Sequence, residues 1–167
     1  MKMEREKERL VYTIGRFDHY FESVNNKTAV YIAINTFVLG GILTGYINVD
    51  EYIKVYVNFF NIILSFIVGL GLISLLVLIY ASIPYFSKEP NSLYYFGTIG
   101  SKPKKEFIEN SKNYDLKDEV KDLREQVYLL AMGLNKKFQK LKFSGRLLAL
   151  QFILILPLII ILLINKF

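Results

Sequence analysis

Apolar and polar positions fall in long blocks along this chain. Thr28–Ile47, Phe59–Ile83 and Leu147–Ile164 run for 20, 25 and 18 residues without Asp, Glu, Lys, Arg or His. A hydrocarbon core about 30 Å thick is crossed by roughly 20 such residues in a helix. The pattern therefore predicts three membrane-spanning helices. Outside them the apolar positions keep helical spacing. Leu10, Ile14, Phe17, Phe21 and Val24 form one stripe without a proline, which predicts nearly continuous helix from Arg5 to Ile47. Leu116, Val120, Leu123, Val127, Leu130, Leu134, Phe138 and Leu141 form a seam of heptad type with one eleven-residue step. That helix is expected to continue through Gly145 into the third span. Between these helices, Ile83–Gly100 holds Pro84, Pro90, Gly97 and Gly100 among Tyr85, Phe86, Tyr94, Tyr95 and Phe96. It reads as an aromatic loop. A short helix should follow, capped by Ser101 with Pro103 in its first turn.

The fold class expected is an all-α membrane protein: three transmembrane helices and a small cytoplasmic bundle formed largely by extensions of the first and third spans. The boundaries are 1–27 (cytoplasmic amphipathic helix), 28–47 (first span), 48–58 (external loop) and 59–83 (second span). They continue with 84–146 (cytoplasmic loop and long helix), 147–164 (third span) and 165–167 (external tail). The orientation follows from Lys and Arg: six in residues 1–27, one in 48–58 and thirteen in 84–146. The positive-inside rule places the first and last of these segments in the cytoplasm. Residues 1–27 carry both charges and no apolar run, unlike a secretory signal.

Composition removes several chemistries. Without cysteine there is no disulfide, thiolate metal site or cysteine nucleophile, and a single histidine excludes a multi-His centre. Asp18 and His19 are sequence neighbours on a helix and point in different directions. No Gly-x-Ser-x-Gly, P-loop or metal constellation occurs. No catalytic residue, metal or cofactor is expected, and the protein is read as a non-enzyme. Spans without a charge also argue against a pump or transporter subunit.

Four groups of residues invite a functional and a structural reading. Gly41/Gly45 and Ser65/Gly69 are small-xxx-small pairs, expected to pack the first span on the second, with a subunit contact as the alternative. Asn35, Ser74 and Gln151 are polar residues in the spans. Counting inward from the stretch ends at ~1.5 Å per residue puts them ~10, ~14 and ~6 Å deep. Hydrogen-bonded glue is the structural reading and pore lining the sharper one. Lys136, Lys137, Lys140, Lys142 and Arg146 form a basic cluster suited to anionic headgroups, or to a phosphate ligand. Tyr85, Tyr94, Tyr95 and Phe96 would suit base stacking or an interfacial belt, the belt fitting Tyr85 and Phe86 better than Tyr94–Phe96, while Asn25, Asn26 or Asn91 would read base edges. Mixed charge and the lack of a recognition motif argue against duplex nucleic acid.

The order of these parts resembles the transmembrane effectors of bacterial Pycsar anti-phage defence. The resemblance lies in Arg16-Phe17-Asp18-His19-Tyr20-Phe21-Glu22-Ser23-Val24-Asn25-Asn26-Lys27-Thr28-Ala29 at the first span. It continues in Ile83-Pro84 with Asn91-x-x-Tyr94-Tyr95-Phe96-Gly97-x-Ile99, and in Gln126…Leu129-x-x-Met132…Asn135-Lys136-Lys137-Phe138 before the third. It implies a receptor for a cyclic pyrimidine mononucleotide, cyclic UMP or cyclic CMP, made by a partner nucleotide cyclase. Ligand would trigger impairment of the inner membrane and abortive infection; a homo-oligomer is expected as the acting form, because three spans of one chain have too few polar faces to enclose a wide pore. A cyclic-oligonucleotide-gated effector and a constitutive holin-like membrane interaction protein are the alternatives. The ligand is expected between an Asn25-Asn26-Lys27 turn, the Tyr94-Tyr95-Phe96 loop and Lys136-Lys137, with Asn91 as a further contact.

Overall fold

A computed structural model describes residues 1–83 and 92–166. Among the described residues 90% are helical and none is in a strand, in keeping with the all-α membrane class. Helix α1 is Lys2–Val49, α2 Val57–Ser82, α3 Phe96–Ser101, α4 Lys104–Lys112 and α5 Leu116–Lys166. A 3-10 turn, Asp50–Tyr52, follows α1. The helices with the three apolar stretches (α1, α2 and α5) are long and apolar enough to cross a membrane. Large apolar side chains on them stay uncovered by protein, Phe37 at 82% exposure and Leu76 at 67% among them, which is the surface a lipid-facing helix needs.

The chain divides into two units, with the division falling inside α1 and α5. The polar unit comprises residues 1–23 and 84–136. Its core is Leu10, Val120 and Leu123, flanked by Ile14 and Val127. These belong to the N-terminal stripe and to the seam, so the two periodic patterns meet each other. The membrane unit comprises residues 24–83 and 137–167. Ile53, Phe60, Ile63, Ile67, Leu158 and Ile161 form its buried cluster.

The structure corrects several expectations. Residues 25–27 are not a turn but part of α1, for no Gly or Pro interrupts the helical pattern there. Residues 96–101 of the aromatic segment are helical, the Ile99 N–H donating to Tyr95 O. Ser101 does not cap α4. It ends α3, its hydroxyl donating to Thr98 O at 3.0 Å, and Pro103 takes the cap position of α4 instead. Residues 165 and 166 of the expected tail belong to α5. Asn165 is in α5 and accepts the Lys54 and Val55 N–H groups at 2.8 Å while donating to Val55 O at 3.1 Å. Those bonds immediately precede Tyr56, whose φ of 60° is the one left-handed non-glycine among the described residues. The adjacent anchor holds a backbone that costs ~1–2 kcal/mol for an L-residue. Helix α5 also runs through Pro157, a break that membrane helices tolerate when neighbouring helices support them.

The small-xxx-small pairs do not bring helices together within one chain. A Cβ on Gly41, Gly45 or Gly69 would meet nothing within 4 Å. The close approaches are at Gly71 and Gly145. A Cβ at Gly71 would lie 2.5 Å from Gln151 Nε2 and 2.6 Å from Leu39 Cδ2, and one at Gly145 would lie 3.0 Å from the Tyr31 ring. Gly41 and Gly45 instead line an apolar groove with Phe60, Leu64 and Ile155. Small residues permit contact, but the rotation of each helix about its axis decides which of them makes it.

Candidate functional site

In the polar unit two carboxylates of α5 organise the chain around them. Glu119 and Asp122 are three residues apart and so share a helix face. Lys7 of α1 pairs with Glu119 at 2.8 Å, and the Tyr94 hydroxyl donates to the same carboxylate. The half-buried Leu93 N–H and the Tyr114 hydroxyl donate to Asp122 Oδ2 at 3.0 and 2.8 Å. Ser92 adds an acceptor for the Tyr94 N–H. One turn further along α5, Arg124 grips Glu6 with two bonds of 2.9 Å. These carboxylates fix the 92–94 segment and the start of α1 onto α5.

The charges show the same organisation. The hydrogen bond from Lys7, then that from Tyr94, holds Glu119 below its ordinary 4.5, and Arg124 does so for Glu6. Burial, reinforced by Glu119, pushes the Tyr94 hydroxyl up to about 12, and burial with Asp122 raises Tyr114 too. A depressed carboxylate stabilises the fold at pH above its unfolded value, and that contribution is lost as pH falls through the folded one. The polar unit should therefore loosen on acidification below about 4.5. Circular dichroism melting across that range measures it, and Glu119→Gln should flatten the dependence.

Beside Tyr114 lies a polar groove of about 410 Å³, lined by Leu93, Lys102, Asn110, Asn113 and Tyr114. It offers an ammonium, two amides and a phenol ring. Lys102 lies 3.8 Å from Glu106, a loose pair that an anion of higher charge can displace. The sequence reading passed over Lys102, Asn110, Asn113 and Tyr114, because they carry no periodic or motif signal; only their shared wall makes them a group.

The residues singled out by sequence are distributed as follows. Tyr94 is exposed on its ring and bound through its hydroxyl to Glu119. The Tyr95 ring folds over Gly97 and lies 4.9 Å from Phe96. Both tyrosines and the exposed Lys136 belong to the polar unit. Asn91, with Tyr85 and Phe86, lies outside the described residues. Asn25, Asn26, Lys27 and Lys137 belong to the membrane unit. There the structure brings Lys137 and Asn25 together, the ammonium donating to Asn25 Oδ1 at 3.0 Å. Lys137 is 8% exposed, and burial pulls its pKa down. Lys140 lies 3.9 Å over the Tyr80 ring. Two of the five basic residues thus turn toward protein, whereas Asn26, Lys27, Lys142 and Arg146 remain exposed.

Inside the membrane unit the polar residues of the spans meet. Asn35 Nδ2 donates to Gly71 O at 3.0 Å and Gln151 Nε2 to Ile67 O at 3.1 Å. Ser74 and Ser144 hydroxyls each reach the other's carbonyl at 3.5 Å. Gln151 therefore sits at the level of the Ile67–Gly71 turn, deeper than counting from Leu147 implied. The ends of an uncharged stretch are set by its first charges, and long basic side chains can snorkel out from below the interface.

Fold and composition together define a three-helix membrane protein with a helical unit of mixed charge attached. The family profile of the Pycsar effector protein domain, PycTM, matches residues 9–164. The chain belongs to that family, which makes it a bacterial anti-phage effector. No curated protein and no solved structure gives a significant match.

Proposed function

We propose that the protein is a ligand-gated, non-enzymatic effector of the bacterial inner membrane. A cyclic pyrimidine mononucleotide, cyclic UMP or cyclic CMP from a partner cyclase, triggers it to impair the membrane and abort infection. The observation that carries this reading is the family match over nearly the whole chain. The polar unit supports it with the groove at Lys102, Asn110, Asn113 and Tyr114, where the ammonium suits phosphate, the amides a pyrimidine edge and the ring a base face. Tyr94 and Tyr95 follow directly on Leu93 of that groove. The acting form is a homo-oligomer, since three spans without a charged residue offer too little polar surface to enclose a wide path.

The test is thermal unfolding of the detergent-purified chain with cyclic UMP, cyclic CMP or a cyclic dinucleotide. A ligand at about a hundred times its Kd adds ~2.7 kcal/mol to the stability of the folded state. Lys102→Ala and Asn110→Ala should lose that shift while folding normally. Lys27→Ala and Tyr95→Ala test the contacts singled out by sequence. A shift with cyclic dinucleotide alone would assign the protein to the oligonucleotide-responsive class, and depolarisation on expression without any cyclase would make it a constitutive toxin. Orientation is checked by reporter fusions: cytoplasmic at Lys112, external at Asp50 and at Phe167. A cytoplasmic reporter active at Asp50 would overturn the arrangement.

A further inference from the structure

The middle of the membrane unit is under-bonded. Asn35 and Gln151 are 0% exposed, and each spends its amide nitrogen on a backbone carbonyl. Their oxygens, Asn35 Oδ1 and Gln151 Oε1, have no hydrogen-bond donor among the described residues. One turn along α2, the buried Ser74 and Ser144 hydroxyls make only bonds of 3.5 Å. All three long helices contribute to this layer. Gly71 at its centre is also the midpoint of the 59–83 stretch, ~18 Å from either end at ~1.5 Å per residue. An acceptor without a donor costs free energy anywhere in a protein, and most where no water can substitute. Water entering the layer would supply the donors that these oxygens lack in the protein.

We propose that the Asn35–Ser74–Ser144–Gln151 layer is the constriction of an ion path that opens in the activated protein. When the helices part at Gly71, the two amides and two hydroxyls of each protomer exchange backbone carbonyls for water and contribute, within the homo-oligomer, to the lining of a path for small hydrated ions. Gly71 is the closing point, since any side chain there would collide with Gln151 and Leu39. The uncharged lining lets ions through without binding them tightly, which conduction requires. The proposal rests on reading the protein as an effector that impairs the membrane, and it locates where the barrier fails.

The chain has no cysteine, so each introduced thiol is unique. Full-length Ser74→Cys, Gln151→Cys and the lipid-facing Leu76→Cys are reconstituted in phospholipid vesicles loaded with potassium. Ion leak is followed with a potential-sensitive dye, and labelling with a cationic, membrane-impermeant methanethiosulfonate. The triggers are cyclic UMP or cyclic CMP and, independently, Gly71→Ala combined with Ser74→Cys or Leu76→Cys. Opening should raise labelling at Ser74→Cys and Gln151→Cys about tenfold together with the leak, because thiols react from water as thiolates, while Leu76→Cys stays unlabelled. Leak without labelling at the layer would overturn the proposal, as would folded Gly71→Ala vesicles that neither leak nor label. Should Gly71→Ala not fold, Gln151→Glu replaces it, setting a water-seeking carboxylate in the same layer. Nucleotides that neither bind nor act, beside a leaking and labelled Gly71→Ala, would sink the ligand reading and leave the layer standing.

Discussion

Leu123→Asp is expected to unfold the polar unit while leaving the membrane helices inserted. Leu123 is 1% exposed and meets Leu10 and Val120, with Ile14 and Val127 beside it. An aspartate there removes a buried leucine from the cluster that joins the N-terminal stripe to the seam, and it buries a carboxylate with no counter-charge in that cluster. Such a change costs ~4 kcal/mol or more, against a stability of ~5–15 kcal/mol for a whole domain. Limited proteolysis of membranes reads the outcome: cleavage should appear within residues 1–23 and 92–136 and spare the spans. Leu123→Ala, costing ~2–5 kcal/mol, gives a graded version of the same loss. Nucleotide-dependent stabilisation should vanish with the aspartate variant, because the proposed groove is built on the same unit. A protease-resistant Leu123→Asp protein would mean that the unit's stability comes from the carboxylate network at Glu119 and Asp122 rather than from this core.

Gly71→Leu should abolish packing of the membrane unit, whereas Gly41→Leu and Gly45→Leu should leave it intact. At Gly71 even the first carbon of a side chain falls 2.5 Å from Gln151 and 2.6 Å from Leu39. Over-packing usually costs ~1–3 kcal/mol, and a leucine wedged where three helices meet belongs above that range. The Asn35 to Gly71 hydrogen bond would go with it. At Gly41 and Gly45 the added carbon meets nothing, so leucine would extend into the lipid-facing groove. Helical content and gel-filtration behaviour in detergent separate the two cases. If Gly41→Leu keeps its fold but changes the size of the assembly, the groove at Gly41 and Gly45 is where copies meet. If Gly71→Leu behaves as the unaltered protein, the three helices do not close on one another at that level.

The chain's periodicities determined its class. Three uncharged stretches of 18 to 25 residues require helices, because in lipid the backbone must satisfy its own hydrogen bonds. The stripe Leu10–Val24 and the seam Leu116–Leu141 had to be helical, and Leu10, Val24, Val120, Leu123, Leu134 and Leu141 are buried while Leu116 and Phe138 stay exposed. What the stretches left undetermined was rotation and axial offset. Gly41, Gly45 and Gly71 look equally small in one dimension, and only the packed helices select Gly71. Lys136 and Lys137 are adjacent, yet only Lys137 turns inward to Asn25. Gln151 lies four residues into its uncharged stretch but meets the turn at the centre of α2, because snorkelling hides where lipid begins. The groove at Lys102, Asn110, Asn113 and Tyr114 was equally invisible, since Asn110 lies on α4, Lys102 just after α3, and Asn113 and Tyr114 just after α4, and they share no repeat. Hydrophobic length and period are summed along the chain and so survive in the sequence; which side chains touch depends on how separate helices are turned and shifted, and only tertiary packing sets that.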